Sequence, residues 1–424
     1  MNNQADFTID TIEVVVKGKG KYQVNKGTPV GELCASLQKD HPYQIVAVII
    51  NNTIRNLHYR LQNDCAMELV DMSKAAGLRI YNRSVCFLLV KACRDLFPGR
   101  TLMVKHTLSN GLFCEFLNQE TNDNEVEQIQ ERMREIVELD LPINHYLVEN
   151  EEARRIFSRQ GQEDKLKLLR YRDKEGTHVY ELDGLYENSY GHMVNRTGML
   201  KKFKLLYHPP GMILRTPEID DIELVKPYRV QPKLAMIHGE AKDWAEMLEV
   251  PHVAALNEMI VKGKIDDLIR VNEALHEKKI AYIADMISRN PSIRVVLIAG
   301  PSSSGKTTFA QRLLIQLRVI GRRPVSISLD NYFIDRELTP LDEEGNYDFD
   351  SLDALNLELF NDHLSRLVKG EEVEVPIYNF KTGCSEECGI KMKVPPGEVI
   401  ILEGIHALND RLTWSIPPAN KFKI

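Results

Sequence analysis

Residues 298 to 308 read IAGPSSSGKTT, and no other stretch of the chain gathers so many groups that could do chemistry. Gly300 and Gly305 bracket four small residues, and Lys306, Thr307 and Thr308 follow directly. Glycines at both ends let backbone N–H groups turn inward, and a ring of inward N–H groups cradles phosphate oxygens. The expected contacts run through Gly300, Ser302, Ser303, Ser304, Gly305, Lys306, Thr307 and Thr308. A lysine in this position reaches the β- and γ-phosphates of a nucleotide such as ATP, and the Thr307 hydroxyl is placed to ligate Mg²⁺.

The flanking residues are those the loop needs. RVVLIA leads in as an apolar strand, and Phe309, Leu313, Leu314 and Leu317 lead out at helical spacing. The start of that helix adds partial positive charge where phosphate would sit. Two carboxylates follow at the ends of later strands. SISLDNYF puts Asp330 at the carboxyl end of one, where open α/β sheets keep their sites. There a carboxylate takes the proton of an attacking hydroxyl or holds the metal's water. VIILEGIH ends in Glu403, which is expected to face Mg²⁺ across the nucleotide.

These segments resemble the uridine kinase and phosphoribulokinase family. GPSSSGKTT is similar to its phosphate loop, SLDNYF to its Asp-Ser-Phe-Tyr segment, ILEGIHAL to its Glu-Gly-Ile segment, and FDSLDAL to its Phe-Asp-His-Pro-Asp-Ala-Phe. The resemblance spans about 290 to 424 and implies a phosphate-loop kinase with a parallel sheet. It implies transfer of the ATP γ-phosphoryl to a small hydroxyl compound, most often the 5′-hydroxyl of a nucleoside such as uridine or cytidine. By it Asp330 is the base, Tyr332 and Tyr378 line the acceptor pocket, and Asp350 holds sugar hydroxyls. The family's Tyr-Asp-Phe-x-x-His-x-Arg appears here as Tyr378-Asn379-Phe380-Lys381-Thr382-Gly383-Cys384-Ser385, with Gly383 and Ser385 where histidine and arginine stand. The sequence closes on KFKI, the expected opening of a further strand, before the family's arginine-rich lid; a longer protein is expected.

The remaining elements set these groups in a multidomain α/β chain of 424 residues. TIEVVV, the turn KGKGK and KYQV predict a hairpin; Thr28 and Pro29 open a helix as cap and first helical residue; IVAVIINN and MELVD add strands. That pattern over 1–72 is a β-grasp, and it resembles the TGS domain of threonyl-tRNA synthetases and some translation-linked GTPases. The α+β block 73–235, with Val126, Ile129, Met133, Ile136 and Val137 at helical spacing, resembles the synthetase's second additional domain. Its editing form uses His-x3-His and Cys-x3-His; here the segments read His106 to Asn110 and Asn188 to His192, so a retained scaffold is expected. His106 and His192 are candidates for one small-ligand pocket. A helical linker is expected over 236–288, stopped by Asn290-Pro291, and the kinase-like domain over 289–424.

Composition excludes other classes. A formal net charge of −7 argues against a general nucleic-acid coat, although RNA remains a possible partner of the front half. The lysines of LKKFKLLYHPP read as a solvated strand face. The longest apolar runs resemble IVAVII, far short of the ~18 residues of a membrane span. The start, MNNQADFTID, has no basic residue and no apolar core, so no leader and no membrane partner are expected. Seven scattered cysteines form no disulfide framework, and Cys384-x3-Cys388 alone makes no metal cage; a reducing cytoplasm is the expected setting.

Overall fold

Two units divide the chain at Gly263, residues 1–262 and 263–424, each built around sheets of its own. The computed structural model describes residues 10–386 and 388–424. Residues 1–9, within the stretch read as lacking a leader, lie outside them.

The predicted hairpin forms from β1 (Thr11–Val16) and β2 (Gly20–Asn25), with Thr11 opposite Asn25 and Val16 opposite Gly20. Strands β3 (Ile45–Ile50), β4 (Thr53–Arg55) and β5 (Cys65–Asp71) complete a sheet in the order β2-β1-β5-β3-β4, with β1 and β5 parallel. Helix α1 (Val30–Leu37) lays Val30, Leu33, Cys34 and Leu37 against it. IVAVII lacks alternation because both faces of β3 are covered: Val48 and Ile50 join the α1 core, Val46 and Ala47 the next one. Thr28 does not cap α1. Pro29 is the cap residue, and the N–H groups of Val30 and Gly31 donate to the carbonyls of Tyr59 and Leu57 at 2.8 and 2.9 Å. The loop after β4 thus supplies the acceptors a threonine hydroxyl would have offered.

Helix α2 (Ala75–Leu96) crosses the largest core, burying Ile80, Tyr81, Val85, Leu88, Leu89 and Ala92. Strands β6 (Leu102–Leu108) and β7 (Gly111–Phe116) form a hairpin, followed by α3 (Asp123–Glu138), which buries Val126, Ile129, Met133 and Ile136. Strand β8 (Asn144–Val148), helices α4 (Asn150–Arg159) and α5 (Glu163–Leu169), and strands β9 (Thr177–Leu182) and β10 (Leu185–Asn188) carry a three-stranded sheet. Strands β11 (Lys204–His208) and β12 (Gly211–Arg215) extend the hairpin to a four-stranded sheet, β11-β12-β7-β6.

Gly77 lets the first turn of α2 close on β5, because a Cβ there would stand 1.9 Å from the carbonyl oxygen of Asp71. Backbone cannot yield as a flexible side chain does. Gly77→Ala is therefore expected to destabilise the first unit by about 2–4 kcal/mol, read as a lower urea midpoint at unchanged slope.

The helical stretch after 231 is shared between the units rather than forming a linker. Helices α6 (Pro232–Met247) and α7 (Val253–Val261) fall in the first, while α8 (Ile265–Arg289) opens the second. There β13 (Val295–Ile298), β14 (Val325–Ser328), β19 (Ile400–Glu403) and β20 (Lys421–Lys423) form an all-parallel sheet in the order β14-β19-β13-β20. Alternate residues of β13 face opposite sides. Val296 and Ile298 pack with Ile280, Ala284 and Ile287 of α8 and with Leu313 and Leu317 of α9 (Lys306–Val319). Val295 and Leu297 pack with Phe360, Leu364 and Leu367 of α10 (Leu357–Val368). Between α10 and β19 lie two small hairpins, β15 (Glu372–Val375) with β18 (Ile390–Lys393), and β16 (Tyr378–Asn379) with β17 (Cys384–Ser385). No helix among the described residues is long and apolar enough to cross a membrane.

Candidate active site

Three neighbouring strands, β13, β19 and β14, end on the same edge of the parallel sheet, and each delivers one part of the site. Beyond β13 the chain turns into α9 through Ser303 (φ 59°) and Gly305 (φ 87°), both left-handed. Such a turn directs successive N–H groups to one side. The N–H groups of Gly305 to Thr308 precede the first bond of the helix, from Phe309 N to Gly305 O at 2.9 Å, and so remain available to an anion. A Cβ on Gly300 would stand 2.7 Å from Ser304 Oγ, which is why the loop closes on glycine. Lys306 Nζ donates to the carbonyl of Pro301 at 3.0 Å, folding the ammonium over the loop.

Thr307 and Glu403 meet. The threonine hydroxyl donates to Glu403 Oε1 at 3.0 Å. Glu403 ends β19 with Ile298 opposite on one side and Ser328 on the other, and it is 8% exposed. A buried carboxylate needs a compensating charge, yet no basic side chain pairs with Glu403 among the described residues. A hydroxyl and a carboxylate oxygen are hard donors of the kind Mg²⁺ takes, so these residues fit the ion.

Asp330 lies two residues past Ser328, in the short turn after β14, and is exposed. Its N–H donates to Ser328 Oγ at 3.3 Å, while its carboxylate has no partner among the described residues. Asp350 is likewise exposed and its carboxylate unpaired; its segment is tied to the Asp330 turn by Asn356 N to Tyr332 O (2.8 Å) and Ile334 N to Ala354 O (3.0 Å).

Tyr332 does not line a pocket. Its ring is 1% exposed, set edge-on against Phe360 at 4.9 Å, with its hydroxyl 3.2 Å from His363 Nδ1. After β14 the chain winds into a tight turn, so strand alternation no longer tells which side a residue takes. Tyr378 is 6% exposed, packed between Phe333 (5.5 Å) and Phe380 (4.9 Å), and its buried hydroxyl has no partner. Phe380 is 57% exposed and carries the aromatic group to the surface. Arg336, which no motif singled out, pins this hairpin: its N–H donates to Gly383 O at 2.8 Å and its guanidinium to Phe380 O at 2.6 Å. Gly383 has φ 79°, and a Cβ there would stand 2.9 Å from the Arg336 side chain. A histidine at this position would need a left-handed backbone and a shift of the Arg336 side chain. Cys384 and Cys388 are exposed free thiols, and no group of three potential metal ligands forms among the described residues.

The two histidines read as candidates for one pocket, His106 and His192, keep different neighbours. His106 stacks on His238, ring centroids 3.6 Å apart, while Asn110 bonds to Glu218 at 2.8 Å. His192 donates to the carbonyl of Ile54 (3.1 Å), and Asn188 to that of His178 (3.0 Å). Around His192 lie histidines that no spacing announced. His145 Nε2 is 3.0 Å from His178 Nδ1, and His145 Nδ1 is 3.3 Å from Asn56 Nδ2. Burial, then the neighbouring His178, His192 and His58, push His145 down from 6.5 to about 4. A folded value below the unfolded one means that stability is fully present above pH 6.5 and is lost as pH falls toward 4. The urea midpoint is expected to drop across that window, and the drop to shrink in His145→Gln. An unchanged drop in that variant would place the acid-sensitive group elsewhere.

Comparison with known proteins follows this division. Residues 295–417 match the model of the phosphoribulokinase/uridine kinase family. A threonine–tRNA ligase of Acetivibrio thermocellus is 23% identical over 197 residues, 46% of this chain and 31% of the ligase. Such ligases match over the N-terminal part. An inorganic pyrophosphatase of Arabidopsis thaliana is 38% identical over 125 residues, 29% of this chain and 17% of that protein. Among solved structures, a possible uridine kinase from Bacillus stearothermophilus is 23% identical with a TM-score of 0.28, covering 32% of this chain and 74% of that one. The chain thus spans between 19% and 31% of the length of the ligases it matches.

Proposed function

We propose that the C-terminal region, whose residues 295–417 are of the phosphoribulokinase/uridine kinase family, transfers the γ-phosphoryl of ATP to a hydroxyl of a small metabolite. The 5′-hydroxyl of a nucleoside such as uridine or cytidine is the favoured acceptor. One observation carries the reading: the phosphate loop, the Thr307–Glu403 pair and the unpaired Asp330 converge at the ends of three adjacent parallel strands.

In this reading the N–H groups of Gly305 to Thr308 hold the triphosphate in the loop that Gly300 opens, with the hydroxyls of Ser302, Ser303 and Ser304 beside them. Lys306 swings from the Pro301 carbonyl to the β- and γ-phosphates. Mg²⁺, held by Thr307 and Glu403, would neutralise charge on the phosphates. Asp330 accepts the proton of the acceptor hydroxyl as its oxygen bonds to phosphorus and ADP leaves. Asp350 accepts two hydrogen bonds from the acceptor's diol. The exposed face of Phe380 is open for stacking, and Tyr378, buried behind it, backs that ring. The front half is read as a TGS-type β-grasp (1–72) and a synthetase-like scaffold (73–235). Its setting is read as cytoplasmic, in keeping with seven free cysteines.

A panel of nucleosides and sugars, assayed for ADP release with ATP and Mg²⁺, tests the proposal. Stimulation by one acceptor supports it, and tight ATP binding without stimulation by any acceptor contradicts it.

A second reading, an ATP-gated RNA- or ribosome-binding regulator, has its own observation. Lys174 is exposed beside Tyr190, itself 75% exposed, over whose ring the Arg172 guanidinium lies at 5.6 Å. Basic groups around an open aromatic face suit single-stranded RNA. Salt-dependent gel shift of tRNA or rRNA by the full chain separates this reading from the kinase alone.

A further inference from the structure

Within the first unit, the loop after β4 meets β8, β9 and the segment through His192, and histidines make the polar contacts. None of these residues belongs to the phosphate site. Two of the contacts run from an imidazole N–H to a carbonyl. His58 Nε2 donates to Ile143 O at 2.8 Å, and His192 Nε2 to Ile54 O at 3.1 Å. A carbonyl only accepts, so a second proton on either ring leaves its bond intact.

The third contact is a chain of bonds whose direction is fixed. Asn56 is 6% exposed, and its Oδ1 accepts from His58 N at 3.2 Å. Its Nδ2 therefore faces His145 Nδ1, 3.3 Å away, and an amide nitrogen can only donate. His145 thus keeps a lone pair on Nδ1 and its proton on Nε2, which donates to His178 Nδ1 at 3.0 Å. The two rings are 17° from parallel with centroids 5.2 Å apart, the edge-to-edge placing such a bond needs. A proton added to His145 must go on Nδ1, against the Asn56 amide. One added to His178 must go on its Nδ1, against the His145 N–H. Either breaks a bond, and no acid compensates. Besides Tyr180, whose ring centroid is 4.7 Å from that of His145, the ionisable groups around the chain are His58, His192, Arg55 and Arg83, all cationic when charged. Glu181 of β9 lies on the opposite face, bonded to Asn144 at 2.7 Å.

We propose that the Asn56–His145–His178 chain is an acid-released clasp: neutral, it fastens residues 54–61 to β8 and β9, and one added proton frees that loop. The packing of Val46, Ala47, Val70 and Met72 with Ile80 and Val85 of α2 involves no titratable group, so the sheet stays seated while the loop opens. The loop has a second attachment, which reports its state. Tyr59 O and Leu57 O take the first N–H groups of α1, and Leu61 N donates to Thr28 O at 3.0 Å. Opening the loop uncaps α1. The depressed value of His145, about 4 against 6.5, sets the window. The open loop binds the proton more tightly, so opening grows easier as pH falls below 6.5 and levels off near 4.

Amide hydrogen exchange of the full chain at pH 7 and pH 5, corrected for intrinsic rates, tests the clasp. The N–H groups of Val30, Gly31 and Leu61 are expected to lose protection roughly twentyfold between those values, the ratio the two His145 values imply. Their exchange at pH 5 is expected to be indifferent to low urea, as in a local opening. In His145→Gln, whose side chain takes no proton, the pH response is expected to fall below about threefold. Asn56→Asp puts an acceptor opposite Nδ1, so the added proton gains a partner and the loss disappears. An unchanged protection in the parent chain, or the same loss in His145→Gln, overturns the proposal. So does exchange that rises with urea in step with the amides of β12, because the whole unit then unfolds. Should His145→Gln leave the three amides unprotected already at pH 7, Asn56→Asp decides: protection kept at pH 5 supports the clasp, and the parent's loss repeated overturns it.

Discussion

Asp330→Asn is expected to bind ATP as the parent chain does and to turn over roughly 10²- to 10⁴-fold more slowly. The substitution is nearly isosteric, and the carboxylate it removes has no partner among the described residues, so neither packing nor pairing is lost. On the proposed reading, what is lost is a proton acceptor beside the acceptor hydroxyl. An effect confined to turnover is the mark of a group used in the transition state alone. Fluorescent-nucleotide titration and ADP release on one preparation give both quantities. Equal losses in the two would remove Asp330 from the role of base.

Lys306→Ala is expected to fail differently, losing nucleotide affinity and turnover together, with kcat/KM down by roughly 10²- to 10³-fold. Its ammonium makes one bond among the described residues, to the carbonyl of Pro301, and on the proposed reading it meets phosphate in both ground and transition states and contributes to each. Stability should hardly change, because the side chain buries no core surface. An unchanged urea midpoint with impaired nucleotide binding is the expected pair of results. The contrast between the two variants separates holding the phosphates from activating the acceptor.

The strand, turn and helix around the loop of residues 298–308 were legible in the sequence because their geometry is local. Gly300, Gly305 and Lys306 act within one turn of chain, and the strand before and helix after them follow from apolar spacing. Glu403 was legible for a related reason: four apolar residues fix a buried parallel strand, and its last residue falls at the edge where sites lie. Tyr332 was misplaced because alternation ends with the strand, and the tight turn through Leu329–Tyr332 rolls the ring into the core. Thr28 was misread as a cap because the acceptors for Val30 and Gly31 come from residues near 57–59, which no local pattern announces. The histidine groupings depend wholly on sheet pairing. His145 meets His178 because β8 and β9 run antiparallel, and His106 meets His238 because α6 packs on the hairpin, distances of 33 residues in the first case. The positions where the family carries histidine and arginine show the converse. Gly383 differs from the family in a way plain from sequence, but the crowding a Cβ there would meet, Arg336 at 2.9 Å, needed the fold.

The central claim is that the γ-phosphoryl group passes to an organic hydroxyl rather than to water. Product analysis with γ-labelled ATP, Mg²⁺ and the acceptor that most stimulates ADP release tests it most directly. The account predicts label in a phosphomonoester of that acceptor, with almost none in Asp330→Asn. Label recovered only as inorganic phosphate, at a rate indifferent to every acceptor, would contradict it and make the chain a nucleotide hydrolase.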